Sequence, residues 1–384
     1  MAGGPRVIEF LTGLARSGIT IVIFFAMLGF LVVIHELGHF VVARLAGVRV
    51  LEFGIGFPPR AKVLRSTGDT LITLNWLPLG GFVRLEGEEG ESEDPRSFVR
   101  ARLPVKLVIL LAGVAMNALL AVVIFTALAW APGQTAAIGF ETVQPDSPAA
   151  QAGLVGSGAG TPDAPSDLII AVDGQRFHDF EGPQRLIDAL RSRAGQTVTI
   201  TVAHPSGTTS DAVVTLRSPA DVAAGRGALG IGNVFSGVLK VTFTREPGAA
   251  LDFGVAQTGE AFGLISDGLS QLGGRIVNHP TEDPGVAGPV GIAVGVGDVF
   301  WQQGAFATLR LAALLSANLA LVNVLPIPPL DGGRMLVLVT KAVAGRRLSL
   351  RVERVTYAVG FGLLMAFILW VTFFDITRQA GPGQ

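Results

Sequence analysis

Four stretches of the chain are apolar for about 20 residues each, and they predict four membrane-spanning helices. A helix rises about 1.5 Å per residue, so about 20 residues cross a hydrocarbon core of about 30 Å. The third stretch runs into the Pro-rich sequence LPIPPLDGG (325–333), where we expect its helix to end. The predicted spans are residues 19–43, 107–130, 307–326 and 355–374.

Shorter apolar runs separated by Gly and Pro follow the first span. Residues 50–86 predict strands and turns. Within them, the sequence LNWLPLGGFVRL predicts a hairpin that turns at Gly80 and Gly81. An exposed edge of such a hairpin is a template to which an unwound peptide can add as a further strand.

The region between the second and third spans is much more polar. Residues 138–217 predict a small soluble domain, which separates an N-terminal membrane region (1–135) from a C-terminal one (301–384). Residues 218–300 predict a linker. Helical apolar spacing in the linker indicates an interfacial amphipathic helix, and we interpret the GPVGI sequence that follows as a re-entrant or packing element.

Composition supports an integral membrane protein with a soluble insert. The 384 residues are 49% hydrophobic and 15% charged, against about 25% charged in an average soluble domain. A net charge of −1 gives no support for nucleic-acid binding. Cysteine is absent, which excludes disulfides, thiol nucleophiles and cysteine-ligated metal. The first apolar run is too long for a signal peptide, so we expect it to be retained as a span.

Positive residues predict the orientation in the cell's inner (cytoplasmic) membrane. They concentrate between the first two spans and before the fourth, and such loops face the cytoplasm. Four spans then place the soluble insert and both termini on the other side. The residues are Arg44, Arg49, Arg60, Lys62, Arg65, Arg84, Arg96, Arg100, Arg102 and Lys106, and then Lys341, Arg346, Arg347, Arg351 and Arg354.

The first span contains the sequence HELGH, which has the spacing of a zinc site. His35 and His39 are four residues apart, so on a helix they lie about 40° from one another and can reach one ion. Glu36 lies one step round, close enough to take a proton from an attacking water without being a ligand. Such a match also arises by chance in soluble helices. An ionisable group in an apolar span, however, needs a partner, water or metal, so it indicates function.

A catalytic zinc site needs a third protein ligand and an open position. His178, His204 and His279 belong to the polar insert or its flank and are poorly placed. Asp331 is the outstanding carboxylate beside a span, because it follows the Pro-rich sequence and precedes two glycines that allow close backbone approach.

Taken together, HELGH, PLGGFVRL and NVLPIPPLDGG resemble the site-2 protease family of intramembrane zinc metalloproteases, in particular the bacterial members with an inserted PDZ domain. The resemblance implies one Zn²⁺ held by His35, His39 and Asp331, with Glu36 as general acid and base. It also implies that Asn323 holds the substrate or the site. It further implies a hairpin, containing Gly80 and Gly81, that dips into the membrane beside the site. Asn117 matches a Gly-Pro-x-x-Asn pattern from which the chain departs, with Val114 in place of Pro.

Two sequences in the insert, SPAAQAGL and DLIIAVDG, resemble a PDZ domain. PDZ domains bind peptides or protein termini by adding them as a strand to one edge. The predicted fold is therefore a polytopic α-helical membrane protein of four spans with a membrane-associated β-hairpin and one inserted PDZ-like α+β domain.

The resemblance implies a protease that cleaves transmembrane segments of single-span proteins in the lipid bilayer, such as anti-sigma factors or remnant signal peptides. Two alternatives remain open at this point. A membrane-anchored PDZ scaffold would carry a structural or inert metal site. A transporter would use the buried His, Glu and Asp as an ion path, but the chain shows no inverted repeat of spans.

Overall fold

The computed structural model describes residues 4–88, 92–131, 133–158, 165–177, 183–243, 245–279, 281–344 and 350–380. In chain order, its elements are α1 (Gly4–Leu45), β1 (Val50–Thr67), β2 (Thr70–Leu85), α2 (Leu103–Trp130), β3 (Gly133–Val143), α3 (Pro148–Gln151), β4 (Leu168–Val172), β5 (Gln175–Arg176), α4 (Pro183–Ser192), β6 (Thr197–Ala203), β7 (Thr209–Thr215), α5 (Pro219–Ala223), β8 (Ile231–Phe243), α6 (Pro247–Asn278), α7 (Pro289–Val324), α8 (Asp331–Ala344) and α9 (Leu350–Ala380).

The chain divides into two compact units, one of which contains the predicted spans except for the last two residues of 107–130. The helical unit comprises residues 1–128 and 251–384, and the inserted unit comprises residues 129–250. Within the described residues, four helices are long and apolar enough to cross a membrane, as predicted. They are Ala15–Leu45, Leu103–Trp130, Pro289–Val324 and Val352–Gln379.

The third of these helices begins earlier than the sequence indicates. α7 starts at Pro289, within GPVGI (288–292), and changes direction at Gly304, whose φ of 82° is not helical. The predicted span at 307–326 is therefore only the second half of α7. Glycine tolerates this left-handed conformation without the clash that a Cβ would cause.

β1 and β2 form a sheet against α1, and the chain reverses at more than one place within it. Thr67 pairs with Thr70, so the chain reverses at Gly68, whose φ is 58°. Residues 71–74 and 81–85 pair with β1 on opposite sides and run in opposite directions, so the chain reverses again between Leu74 and Gly81. Gly80 and Gly81 lie inside β2 at the end of this second reversal, which confirms the predicted turn. They serve close packing: a Cβ at Gly80 would lie 2.8 Å from Val32 Cγ1 of α1.

The strands are long and bent, so β1 has partners on both sides. Its residues 52–55 pair with 71–74 on one side, and residues 50–55 pair with 81–85 on the other. The segment 81–85 thus forms an outer edge of this sheet. A buried core joins the sheet to the adjacent helices, and its members are Ala43, Val48, Val50, Leu85, Phe98, Ile109 and Leu110.

A buried carboxylate stabilises the middle of this sheet. Glu52 is 3% exposed and accepts hydrogen bonds from Arg60 Nη2 at 2.8 Å and from Thr73 Oγ1 at 2.8 Å. Burial by itself would raise the pKa of Glu52, but the hydrogen bonds from Arg60 and Thr73 lower that pKa below its usual value. Arg84 Nη2 lies 3.3 Å from the other carboxylate oxygen.

The inserted unit is built on one antiparallel sheet with the strand order β7-β6-β4-β3-β8, and β5 pairs with β4. Helix α4 packs on its core, which includes Ile138, Phe140, Ile169, Leu186 and Ile200. β8 pairs with β3 along its whole length, from Val143 opposite Ile231 to Gly133 opposite Phe243. The predicted limit at residue 217 thus omits this strand, which lies in the predicted linker.

GPVGI has a packing function, since it receives a buried carboxylate from the last helix. The Asp375 side chain is fully buried and accepts hydrogen bonds from Gly288 N–H at 3.2 Å and Gly291 N–H at 2.8 Å. A Cβ at Gly288 or at Gly291 would lie within 2.8 Å of these carboxylate oxygens. Asp375 thus caps the start of α7 from α9.

Replacing Asp375 by Ala should therefore destabilise the helical unit. Two buried N–H groups would lose their charged acceptor, which costs about 2–4 kcal/mol. We expect a lower midpoint of thermal unfolding in a fixed detergent. Asp375→Asn is the matched control, because its amide oxygen still accepts one hydrogen bond and its loss should be smaller. Equal stability of the Ala and Asn variants would contradict this role.

Candidate metal centre

Three side chains from distant parts of the chain converge in the helical unit. His35 Nε2 lies 3.0 Å from Asp331 Oδ2 and 3.1 Å from His39 Nε2, and His39 Nε2 lies 3.2 Å from the same carboxylate oxygen. All three residues are buried. Zinc bonds of 2.0–2.2 Å in a tetrahedron place ligand atoms about 3.3 Å apart. The three atoms therefore have the spacing of three ligands of one zinc ion.

The hydrogen bonds of the imidazole rings leave the converging nitrogens available. His39 Nδ1 lies 2.8 Å from Ile109 O and can only donate to this carbonyl, so a neutral ring keeps its lone pair on Nε2. A metal-ligating histidine commonly donates its other N–H to such a partner. This fixes both the tautomer and the orientation of His39.

Asn117 lies beside the Nδ1 atom of His35, as the Ile109 carbonyl lies beside that of His39. Its Nδ2 lies 3.4 Å from His35 Nδ1, and its buried Oδ1 has no hydrogen-bond partner among the described residues. Turning the amide by half a turn exchanges these two atoms, so that Oδ1 accepts from His35 Nδ1–H. That arrangement satisfies the buried oxygen and leaves the His35 Nε2 lone pair free. The polar groups around the three ligands thus fit a metal ion.

Glycines let the helices approach closely enough to form the centre. A Cβ at Gly38 of α1 would lie 2.3 Å from Ala112 O of α2, and a Cβ at Gly113 would lie 2.5 Å from His39 Nε2. A Cβ at Gly332 would lie 2.0 Å from Val324 O, where the chain turns from α7 into α8. The glycines of HELGH and LDGG therefore bring α1, α2 and α8 together around the ligands.

Glu36 lies beside the ligand group without joining it. Its Oε2 accepts a hydrogen bond from Val83 N–H at 3.1 Å, so a backbone group of β2 holds the carboxylate. Gly80 and Gly81, further back along β2, press against Val32 and Val33 of α1. They do not contact the three ligands but set the distance between β2 and the helix that carries Glu36.

Two adjacent cavities border these residues. The larger has a volume of about 300 Å³ and is lined by Val32, His35, Glu36, Asn117, Leu319, Asn323, Pro329, Leu330, Asp331 and Arg334. The smaller, of about 60 Å³, is lined by Glu36, His39, Val83, Leu85, Glu88, Ile109, Leu110, Asp331 and Arg334. The predicted residues Asn117 and Asn323 thus border the same cavity as Glu36.

Three residues at this site have no place in the sequence predictions. Gly113 packs against both histidines. In the sequence it stands at the first position of the Gly-Pro-x-x-Asn pattern, and this match could have indicated its place at the site. Arg334 lies one helical turn after Asp331, a spacing that places both on one face of α8. Glu88 pairs with Arg334 across 246 residues, and nothing local in the sequence indicates that contact.

Among the described residues, neither His204 nor His279 belongs to the converging group, as expected. His204 belongs to the inserted unit, where its ring bridges Asp167 and Ser210 at 2.7 Å each. His279 follows α6 and lies 3.3 Å from Glu282. His178 falls outside the described residues.

Replacing Gly113 by Val should abolish metal binding. The new side chain would overlap His39 Nε2 and His35 Cε1, so the three ligand atoms could no longer converge. We expect the purified protein to hold well below one metal ion per chain by elemental analysis. Ala115→Val adds the same kind of bulk to an exposed face of α2 and should keep full occupancy. Full occupancy in Gly113→Val would show that this contact is not required.

Comparison with known proteins identifies the family of the chain. The family model described as peptidase family M50 matches residues 23–367. A candidate zinc metalloprotease of Clostridium perfringens is 31% identical over 92% of this chain and 98% of its own length. The zinc metalloprotease RasP of Geobacillus kaustophilus is 26% identical over 94% and 98%. These matches confirm the predicted site-2 protease resemblance, the prediction of a metalloprotease and that of zinc as its cofactor. The chain belongs to peptidase family M50.

Proposed function

We propose that the protein is an intramembrane zinc endopeptidase that cleaves the transmembrane segments of single-span membrane proteins. The observation that carries this proposal is the convergence of His35, His39 and Asp331 beside Glu36, among helices apolar enough to span a membrane. A centre built only for structure would be closed, whereas this one borders a cavity of about 300 Å³. The cavity can admit both a peptide and water.

Each residue of the centre has a separate task in peptide hydrolysis. His35, His39 and Asp331 would hold zinc, which when bound lowers the pKa of water and polarises a carbonyl. Glu36 accepts a proton from the water that attacks the scissile carbonyl, and it then returns that proton to the leaving nitrogen. Asn117 holds the His35 ring in its orientation. Asn323 borders the same cavity and can donate its amide to the substrate backbone.

The outer edge of β2 is the surface on which the substrate would bind. A transmembrane helix hides its peptide groups in its own hydrogen bonds, so it must unwind before hydrolysis. Residues 81–85 have β1 on one side only, and Val83 N–H points towards Glu36. A substrate strand added along this edge would bring a peptide bond next to Glu36. Gly80 and Gly81, predicted to position the substrate, would do so by letting this edge pack closely against α1.

The inserted unit is proposed to be a PDZ-like domain that binds peptides or protein termini. Its strand β8 lies at the end of the sheet, so one side of β8 has no strand partner within the described residues. The Gly-rich turn 225–230 directly precedes β8, and Gly225 and Gly230 have positive φ angles of 84° and 80°. Backbone groups in such a turn can receive a terminal carboxylate.

We also propose that the protein lies in the cell's inner membrane with the inserted unit on the non-cytoplasmic side. The Lys and Arg residues between the first two spans support this orientation. Those before the fourth span also support it, although residues 346 and 347 lie outside the described residues. The centre lies nearer the positive end of α1, and this position supports a site towards the cytoplasmic face.

Glu36→Gln should lower the rate of cleavage by about 10²–10⁴, because the amide cannot accept the proton. Zinc content should stay at one ion per chain, since Glu36 is not a ligand. The natural substrates should accumulate in cells with this variant, so a comparison of membrane proteomes with the wild type should reveal single-span proteins. Undiminished cleavage by Glu36→Gln would refute the mechanism, and an inert scaffold would show no zinc-dependent cleavage in either form.

The full chain should retain peptides that end in a free carboxylate more strongly than the same peptides with a carboxamide. The comparison uses two pooled synthetic libraries with identical apolar C-terminal residues, measured by affinity capture and mass spectrometry. We expect at least about a tenfold preference, the effect of one charge-assisted contact. Equal retention of both libraries would argue against terminal recognition at β8.

A further inference from the structure

The outer edge of β2 is occupied by two carboxylates of the protein itself. Val83 N–H donates to Glu36 Oε2 at 3.1 Å, and Leu85 N–H donates to Glu88 Oε2 at 3.0 Å. Residues two apart in a strand direct their backbone groups to the same side. Both N–H groups donate to side chains, so the N–H groups of Val83 and Leu85 are those that the edge offers to a further strand.

Glu88 is held in place by an arginine of the metal-ligand helix. Its second oxygen, Oε1, accepts a hydrogen bond from Arg334 Nη2, and the two groups form an ion pair. Both side chains are largely shielded from solvent, with exposed fractions of 16% for Glu88 and 29% for Arg334. Asp331 lies one turn earlier on α8. The pair therefore connects the β2 edge to the helix that supplies the third ligand.

A substrate strand needs the N–H groups that these carboxylates occupy. In strand addition, carbonyl oxygens of the incoming peptide accept hydrogen bonds from the edge. A carboxylate is a stronger acceptor than a peptide carbonyl, so it competes effectively for the same donor. In this structure, both N–H groups of the edge are therefore already bonded to carboxylates of the protein.

We propose that Glu88, held by Arg334, closes the β2 edge in the resting enzyme and that a substrate strand binds by displacing it from Leu85 N–H. The inference rests on the proposed addition of substrate to this edge. The two oxygens of Glu88 have separate partners, so Oε2 can leave the strand while Oε1 stays with Arg334. No buried charge is then left unpaired, which keeps the displacement feasible.

This competition favours unwound substrates. A transmembrane helix has its carbonyl oxygens engaged in its own hydrogen bonds and offers nothing that can replace the carboxylate. Only a segment that has already lost its helical structure presents free carbonyls in an extended line. Glu88 is therefore a specificity-determining residue, which acts on binding rather than on the chemical step.

Disulfide crosslinking can test the inference, because the protein has no cysteine of its own. The test uses the full chain with Glu36→Gln, which prevents cleavage, and a single cysteine introduced by Arg84→Cys on the edge strand. The probe is a synthetic single-span peptide with about 20 apolar residues, a Gly-Ser pair in its middle and one cysteine placed at each position in turn. The initial crosslinking rate is measured in liposomes at low and at saturating peptide.

Glu88→Ala in this background should raise the initial rate at low peptide about three- to tenfold and leave the saturating rate unchanged. Glu88→Gln should give a smaller rise, because its amide oxygen can still accept from Leu85 N–H while the ion pair with Arg334 is lost. The matched control is Glu353→Ala, which breaks the pair between Glu353 and Lys341 of the same helix α8 without touching the strand. Its rate should equal that of the parent.

The competing role for Glu88 is a structural brace, and the same measurements separate the two. A brace predicts that both Glu88 variants lose zinc or thermal stability and crosslink more slowly, which would overturn the proposal. An unchanged rate in both variants with full zinc content would overturn it as well. If the crosslinking rate alternates every two positions along the peptide but does not change in the Glu88 variants, strand addition is supported and the closure by Glu88 is wrong. If no alternation appears in any variant, strand addition itself is wrong, and the closure with it.

Discussion

The helical unit depends on one constraint, which is that each ionisable group buried among apolar helices needs a polar partner. Its helices carry such groups at two places at least, and each is matched by a group distant in sequence. His35 and His39 meet Asp331 from 296 and 292 residues away, and Asp375 reaches the start of α7. An unpaired charge in such surroundings would cost several kcal/mol. The helices are thus arranged so that these groups meet.

Close packing is what allows the partners to meet, and glycine is the residue that permits it. Gly38, Gly113 and Gly332 each stand where a Cβ would overlap a neighbouring carbonyl or an imidazole. The motifs HELGH and LDGG therefore supply the metal-ligating side chains and also the glycines that let neighbouring helices pack closely. A site with the same ligands and larger residues between them would hold the ligands too far apart for one ion.

The sequence predicted the parts of the structure that depend on local pattern. Four spans follow from length and hydropathy, and the ligands follow from spacing and from the scarcity of carboxylates beside spans. It failed where pairing is non-local. β8 looks like a linker until it pairs with β3, and the Glu88–Arg334 pair joins residues without any shared pattern. Gly80 and Gly81 also pack against Val32 and Val33 of α1, a non-local contact that the turn prediction did not include.

The start of α7 shows a further reason for failure. Gly304 interrupts the helix, and the residues before it include polar groups such as Asp298, Gln302 and Gln303, so hydropathy indicated a span only after the interruption. At its start beside Pro289, the helix is capped by the carboxylate of Asp375, supplied from α9. A partner of this kind leaves no trace in the local composition of the segment that it stabilises.

The same constraint explains why an enzyme of this kind would close its own binding edge. Backbone N–H groups on a strand edge that faces a narrow cavity need acceptors, because an unsatisfied buried donor costs about 1–3 kcal/mol. Glu36 and Glu88 supply those acceptors while no substrate is present. Substrate binding then exchanges one set of acceptors for another, so the edge contributes little net affinity. The ease with which a transmembrane segment unwinds would therefore decide which substrates are cut, and the products would leave by the same exchange.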